Sequence, residues 1–443
     1  MQPKSEGPSG IRRRRFLKRG AALAAGLSAL PAARAASRAA GANARIVLGV
    51  MGTSRSNQRR SPGRGAHLAM EIARLAGAEV AYVCDVDKRN LALAVEGVQA
   101  VQHRRPKGVN DFRRILDEKA VDALLIAAPD HWHAPAAILA CAAGKHVYVE
   151  KPCTHNPREG ELLLAAARKH KRVVQHGTQR RSWRGVIEAV EKLRRGVIGR
   201  VSYARCWYFN SRRSIGRGKP APVPDWLDYE LWQGPAPRRA YRDNVVHYNW
   251  HWFWHWGTGE LGNNGVHRID VVRWGLGVDY PLRVASTGGR YRHDDDQETP
   301  DTNVAAFDFG DKMIVWEGRS CLPRGSGDPP YDTAFYGEKG TLIIRGSGYA
   351  VCDPSGREIA KGGGAGGDRT HIQNFLDAIR GDARLNAEIE EGSISAHLCH
   401  LGNIAWRVGR SLRCDPKTGR ILDDPEAMKL WGRPYQKGWE PKV

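Results

Sequence analysis

Beyond residue 44 the chain alternates between continuous apolar runs and stretches of helical spacing. Residues 45–52 form an apolar strand ending in Gly52, and residues 66–76 carry a helical pattern. A second strand over 79–84 ends at Asp85-Val86-Asp87. Helical stretches over 88–99 and 112–118, a strand over 123–127, a helix over 134–143 and a strand over 146–149 complete the series. Strands apolar on both faces, each followed by a helix, predict a doubly wound parallel sheet of the Rossmann kind. We assign it to residues 44–175. Residues 176–443 read as a second α/β domain, with strands over 201–209, 283–290, 303–309, 312–319, 333–336 and 341–344 separated by turn signals. Helical stretches over 371–380 and 393–410 close the chain.

The first strand-to-helix turn carries the first chemical signal. A dinucleotide site needs glycines there, so that the backbone approaches the pyrophosphate at the N-terminus of the following helix. Gly52 and Thr53 open this turn and Gly63, Arg64 and Gly65 close it, around a polar, basic insertion. Asp85 ends the second strand, where a carboxylate bonds the adenosine ribose hydroxyls and repels a 2′-phosphate. The predicted cofactor is therefore NAD rather than NADP.

Charge and composition narrow the classes further. The net charge is +22, of which residues 1–35 hold +7. Arg13-Arg14-Arg15-Phe16-Leu17-Lys18, a short weakly apolar stretch over 20–30 and Ala33-Arg34-Ala35 have the order of a twin-arginine export signal with its cleavage site. Residues 36–43 read as a linker. The predicted location is periplasmic or otherwise exported, by way of the twin-arginine machinery, with no membrane anchor after cleavage. No apolar run approaches the ~20 residues of a membrane span. The 8 cysteines are dispersed without a C-x-x-C pair and read as buried thiols. No cluster has metal-ligand spacing. The acidic run 294–298 lacks the glycine and spacing of a calcium loop and reads as a solvated turn.

Ala127-Ala128-Pro129-Asp130-His131-Trp132-His133-Ala134, followed by Gly144-Lys145-His146-Val147-Tyr148-Val149-Glu150-Lys151-Pro152, resembles the Gfo/Idh/MocA family of nicotinamide-dependent oxidoreductases. Gly177-Thr178-Gln179-Arg180 and the stretch from Gly262 to Asp270 are similar to later motifs of that family. The resemblance is strongest to its exported branch. It implies a Rossmann domain followed by a domain built on a large, mainly antiparallel open sheet, whose open face packs against a second subunit. It also implies that Pro129, His133, Glu150, Lys151 and Gln179 join the glycine turn and Asp85 in holding the cofactor. Lys151 and His267 then become the proton-transfer residues: a buried cation polarises a substrate C–O bond, and imidazole is a natural base near neutral pH. Many family members carry aspartate four residues before this histidine, where this chain has Asn263. Asparagine orients a hydroxyl but exchanges no proton, and Glu260 is the nearby carboxylate that could substitute. Arg180 and Asp270 complete the substrate residues expected from these motifs.

Nine of the 14 tryptophans fall between residues 183 and 274, most densely over His247–Gly257. Alternating aromatic and polar residues suit a strand or extended loop whose rings either meet the apolar faces of a sugar, with Trp252, Trp254 and His255 as contacts, or form an aromatic core seam between the domains. Lys and Arg are not interleaved there, which argues against nucleic acid. Arg180, Arg181, Arg212, Arg213 and Arg217 read either as contacts for an acidic sugar or as solvated side chains, the latter being the commoner outcome. The sequence thus predicts an exported, oligomeric, NAD-dependent oxidoreductase acting on a carbohydrate or polyol. Two alternatives stand: a redox-assisted glycosidase or lyase that retains its NAD, and a non-catalytic sugar-binding protein. Replacing Arg13 and Arg14 together by Lys should leave precursor in the cytoplasm, as read by fractionation; undiminished export would contradict the signal assignment.

Overall fold

The computed structural model describes residues 45–55 and 62–443. The export signal, the linker and the middle of the inserted turn lie outside the described residues. Six parallel strands form the first sheet: β1 (Ile46–Met51), β2 (Ala78–Cys84), β3 (Lys107–Val109), β4 (Ala123–Ile126), β5 (His146–Val149) and β6 (Val174–His176). Their order is β3-β2-β1-β4-β5-β6, so the winding direction reverses between β1 and β4. That reversal opens a crevice at the carboxyl ends of the two strands, where a dinucleotide fits. β4 is buried on both faces, as the uninterrupted apolar run requires.

Each face of this sheet has its own core. Helices 64–73 and 88–102 cover one face with Leu68, Ile72 and Val98, joined by Phe375 and Leu376 of helix 368–380. Helices 130–142 and 157–169 cover the other with Ile138 and Leu163. A helix from the end of the chain therefore completes the N-terminal domain, and residues 45–443 form one compact unit.

The second sheet has ten strands. These are β7 (Val201–Phe209), β8 (Arg283–Gly289), β9 (Thr302–Asp308), β10 (Met313–Arg319), β11 (Thr333–Gly337), β12 (Gly340–Arg345), β13 (Gly348–Cys352), β14 (Glu358–Gly362), β15 (Leu412–Cys414) and β16 (Ile421–Leu422). Only β7 and β10 run parallel; the other pairs are antiparallel. The predicted fold class is the observed one. Helices 184–194, 266–276 and 389–408 cover one face around Trp316, Phe307 and Phe335.

The structure adds elements the pattern does not suggest. β3 and β14 are short edge strands with polar sequences. The tryptophan-rich segment is no strand: it holds one 3₁₀ turn, Asn249–Trp252, and packs Phe253 and Trp256 into a core of its own with Trp232 and Tyr229. All eight cysteines are unpaired and seven are buried, in keeping with the thiol reading. Phe335 is fully buried on β11. Phe335→Ala should cost about 3–5 kcal/mol, seen as a lower denaturation midpoint with an unchanged m-value.

Candidate active site

The glycine turn is built by close approach. Gly52 has φ +88°, and a Cβ there would lie 2.5 Å from the Ala128 nitrogen. A Cβ on Gly63 would lie 2.2 Å from the Ser54 carbonyl oxygen, and one on Gly65 would lie 1.9 Å from that of Gly52. The two ends of the insertion are thus pinned together, and the helix starting at Arg64 keeps the geometry of an uninterrupted turn. That helix has no side-chain cap and no acidic residue in its first turn. Its leading N–H groups are available to an anion.

Asp85 holds this turn from below. Its Oδ2 accepts from the Thr53 backbone N–H (2.6 Å) and hydroxyl (2.9 Å), and its Oδ1 accepts from the Ser54 hydroxyl (2.8 Å) and the Asp87 N–H (2.9 Å). Four donors satisfy a carboxylate's acceptor capacity. Asp85 lines the crevice as predicted, but a ribose would have to exchange with the Thr53 and Ser54 hydroxyls to reach it. The residues fit NAD: the parallel order, the cradle that a Cβ would fill, the open helix terminus and an acidic β2 end all suit a dinucleotide.

At the end of β5, Glu150 accepts from Arg64 Nε (2.8 Å), and the Arg64 guanidinium forks onto Asp368 (2.7 and 2.8 Å). Burial opposes the Arg64 charge, but Glu150 and Asp368 outweigh it and hold its pKa well above the usual arginine value. Lys151 turns the other way. Its ammonium donates to the Asn263 backbone carbonyl (2.9 Å) and side-chain oxygen (3.0 Å). Burial draws the Lys151 pKa down against the pull of Glu150 and Asp130. Asp130 is itself buried, its pKa raised by desolvation against His133 and Lys151, and it accepts from the Thr258 hydroxyl at 2.6 Å. The His133 ring spans Ala128 and Pro152, one nitrogen on each carbonyl at 2.7 and 2.5 Å.

Asn263 sits in a π-helical turn, Leu261–Gly265, at the start of helix 266–276. Its amide donates to Glu260 (3.3 Å), and Glu260 is forked by Arg212 (2.7 and 3.3 Å). Arg212 also donates to the Tyr248 (2.6 Å) and Tyr208 (3.1 Å) hydroxyls and lies 4.8 Å from the Trp252 ring centre. Beside this network, His251 stacks on Trp250 at 3.6 Å, and one ring nitrogen faces the Tyr248 carbonyl at 2.6 Å. Burial, then the charges of Lys151 and Arg212, hold its pKa well below the usual imidazole value. A neutral ring donating from Nδ1 keeps its Nε2 lone pair free. His251 lines the crevice together with Lys151, Asn263, Tyr248 and Trp250.

Comparison with known proteins agrees with this geometry. Residues 48–178 match the family model described as "Oxidoreductase family, NAD-binding Rossmann fold", and residues 197–441 match that of the "Oxidoreductase family, C-terminal alpha/beta domain". The chain belongs to the Gfo/Idh/MocA oxidoreductase family. An inositol 2-dehydrogenase of Salmonella paratyphi B is 27% identical over 168 residues, 37% of this chain and 48% of that protein. A glycosyl hydrolase family 109 protein of Shewanella sp. ANA-3 is 29% identical over 217 residues, 46% of this chain and 47% of the relative. The chain thus spans about half the length of these curated relatives. The WlbA dehydrogenase of Bordetella pertussis, solved with NADH and UDP-GlcNAcA, superposes with a TM-score of 0.61 at 20% identity, over 84% of this chain and 99% of that one.

Within this Gfo/Idh/MocA framework, Gly52, Gly63, Arg64, Asp85, Pro129, His133, Glu150, Lys151 and Asn263 line one crevice. Thr53 and Gly65 support it from behind. Several expected contacts lie elsewhere. Asp270 is fully buried under Arg181 (2.8 Å) and Ser395 (2.7 Å), an internal ion pair rather than a substrate ligand. Arg180 is tied to Asp332 at 2.5 Å. Trp252 is buried behind Arg212, while Trp254 and His255 line a different cavity. Gln179 keeps its side-chain oxygen buried and unbonded, outside the crevice lining. Glu260 is neutralised by Arg212, so it supplies no free base. Arg181 is buried and Arg212 is half-buried, each held by a carboxylate rather than solvated. His267 lies one helical turn beyond Asn263; burial and the charges of Lys151 and Arg180 depress its pKa, but it is not among the crevice-lining residues.

The residues that reading missed are His251, Tyr248, Trp250 and Asp130. The first three belong to the aromatic segment, where helical phase rather than strand alternation decides which rings face the crevice. Two outcomes test this section. Asp85→Ala should weaken NAD binding and narrow its preference over NADP, measured by titration calorimetry; equal binding of both cofactors by wild type would remove Asp85 from the adenosine site. Asp270→Ala should destabilise the fold by about 3 kcal/mol in chemical denaturation, because buried Arg181 loses its bidentate partner and keeps only the partly exposed Glu391.

Proposed function

We propose that this protein transfers hydride between a carbohydrate or polyol hydroxyl and NAD. One observation carries the reading: a half-buried Lys151, its pKa drawn down by desolvation, stands at the crevice beside Asn263, with a neutral His251 on the same wall. NAD, when bound, accepts the hydride. Lys151 donates a hydrogen bond to the substrate oxygen and polarises the C–O bond, with Asn263 orienting the hydroxyl. His251 presents an unprotonated ring to take the hydroxyl proton. His267, in the field of Lys151, is the second imidazole within the same electrostatic network. Trp250 and Tyr248 offer ring surface to the sugar. The dehydrogenase names and sugar ligands of the matched proteins support this substrate class.

The glycosyl hydrolase relative favours a second reading, in which the hydride returns to the same substrate after bond cleavage. Scarcity of soluble NAD after export supports a retained cofactor in either case. We further infer export by way of Arg13-Arg14, and assembly through the outer face of the ten-stranded sheet, where Val304 and Met313 are more than a third exposed.

Single-turnover absorbance at the nicotinamide band separates these readings across a panel of sugars and glycosides. Lys151→Met should keep NAD binding and lose about 10²–10⁴-fold in the rate of reduction. His251→Ala should lose a comparable factor; a larger loss in His267→Ala would return the base to His267. The wild-type rate should fall on acidification only below the ordinary imidazole range of about 6.5, since burial holds His251 neutral through it. Altered product without accumulated reduced NAD would select the redox-neutral reading. Sugar binding with neither would leave a binding protein.

A further inference from the structure

Thr258 donates to Asp130 of the crevice and also lines a second cavity, of about 280 Å³. Four cations line it, Arg239, Arg407, Lys429 and Arg433, and no carboxylate does. The nearest acidic groups are already engaged. Glu159 accepts from Arg433 Nε (3.0 Å) and the Tyr435 hydroxyl (2.8 Å), and Glu298 accepts from the Trp254 N–H (2.7 Å). Among the described residues, Arg239, Arg407 and Lys429 enter no ion pair.

The buried wall is short of partners as well. The Arg433 side chain is only 9% exposed, and its Nη1 is buried without a hydrogen-bond acceptor. Both ring nitrogens of His155 are likewise buried and unbonded. Leaving a charged donor unsatisfied in the interior is costly, and a bound anion would relieve that cost here. Trp254 forms one wall, half-buried, with the Arg407 guanidinium 5.1 Å from its ring centre.

We propose that this cavity is an oxyanion site for a sulfate- or phosphate-type dianion, free or carried as an ester on a sugar. Three exposed cations draw the anion in, and Arg433 and His155 bind its oxygens from the buried side. Guanidinium groups suit such oxygens through paired N–H donors. Four cations against Glu159 on Arg433 and Glu298 near Arg407 leave two positive charges for a dianion. Trp254 gives a sugar ring a flat surface next to the anion.

The test is calorimetric titration of the full chain with sodium sulfate, and separately with phosphate, at constant ionic strength. One saturable site per chain is expected. The double variant Arg239→Gln/Lys429→Gln should bind the anion at least tenfold more weakly and bind NAD as wild type does, which verifies the fold. Each single variant is measured beside it, so that a misfolded double variant does not decide the matter. Glucose 6-sulfate binding at least tenfold tighter than sulfate, with the gain lost in Trp254→Ala, would assign the site to a sugar ester. Equal affinities would assign it to the free anion. Absence of saturable binding by both inorganic anions, or undiminished affinity in the folded variants, would overturn the proposal.

Discussion

A buried ammonium must be satisfied by oxygen atoms, and Lys151 meets that demand across the domain boundary. Its partners are the backbone and side-chain oxygens of Asn263. Lys151 follows a strand of the first sheet, while Asn263 leads into the helix that covers the second. This contact fixes where the two domains meet and therefore where a substrate can sit. Around it, opposite charges are kept in separate pairs. Arg64 serves Glu150 and Asp368, and Arg212 serves Glu260. Lys151 is left with neutral oxygen partners, and a lysine so placed is easier to deprotonate than one in an ion pair.

The same economy explains Asn263. An aspartate in its place would form an ion pair with Lys151 and raise its pKa, within hydrogen-bond reach of Glu260. Asparagine keeps the geometry and removes the extra charge. In the proposed reaction the proton then goes to an imidazole, and the low pKa values of His251 and His267 share one origin in burial, reinforced by the cations around them.

Much of the fold is legible in the sequence because it rests on local periodicity. The β1, β2, β4 and β5 strands are apolar on both faces, and the strands from β7 to β12 alternate between turn signals. Helix 184–194 was not among the predicted elements, although Val186, Ala189, Val190 and Leu193 fall on one buried face. The cofactor side of the site was legible in part: Gly52, Gly63 and Asp85 reach the crevice, while Gln179 does not. The substrate side was not. Trp254 and His255 look no different in sequence from Trp250 and His251, yet a 3₁₀ turn directs them to different cavities. Asp270 carries the same motif position as a ligand would, and only the arrival of Arg181 from 89 residues upstream shows it to be structural. Ion pairs across such separations leave no local pattern.

The central claim is that Lys151 stands where hydride and proton leave the same substrate carbon and oxygen. It is tested most directly by incubating the protein with sugars and polyols deuterated at their carbinol carbons, then denaturing it and weighing the released nicotinamide cofactor. The account predicts one deuteron on the nicotinamide from wild type and none from Lys151→Met, with equal cofactor recovery from both. Unlabelled cofactor from a wild-type reaction that nonetheless converts the sugar would contradict it.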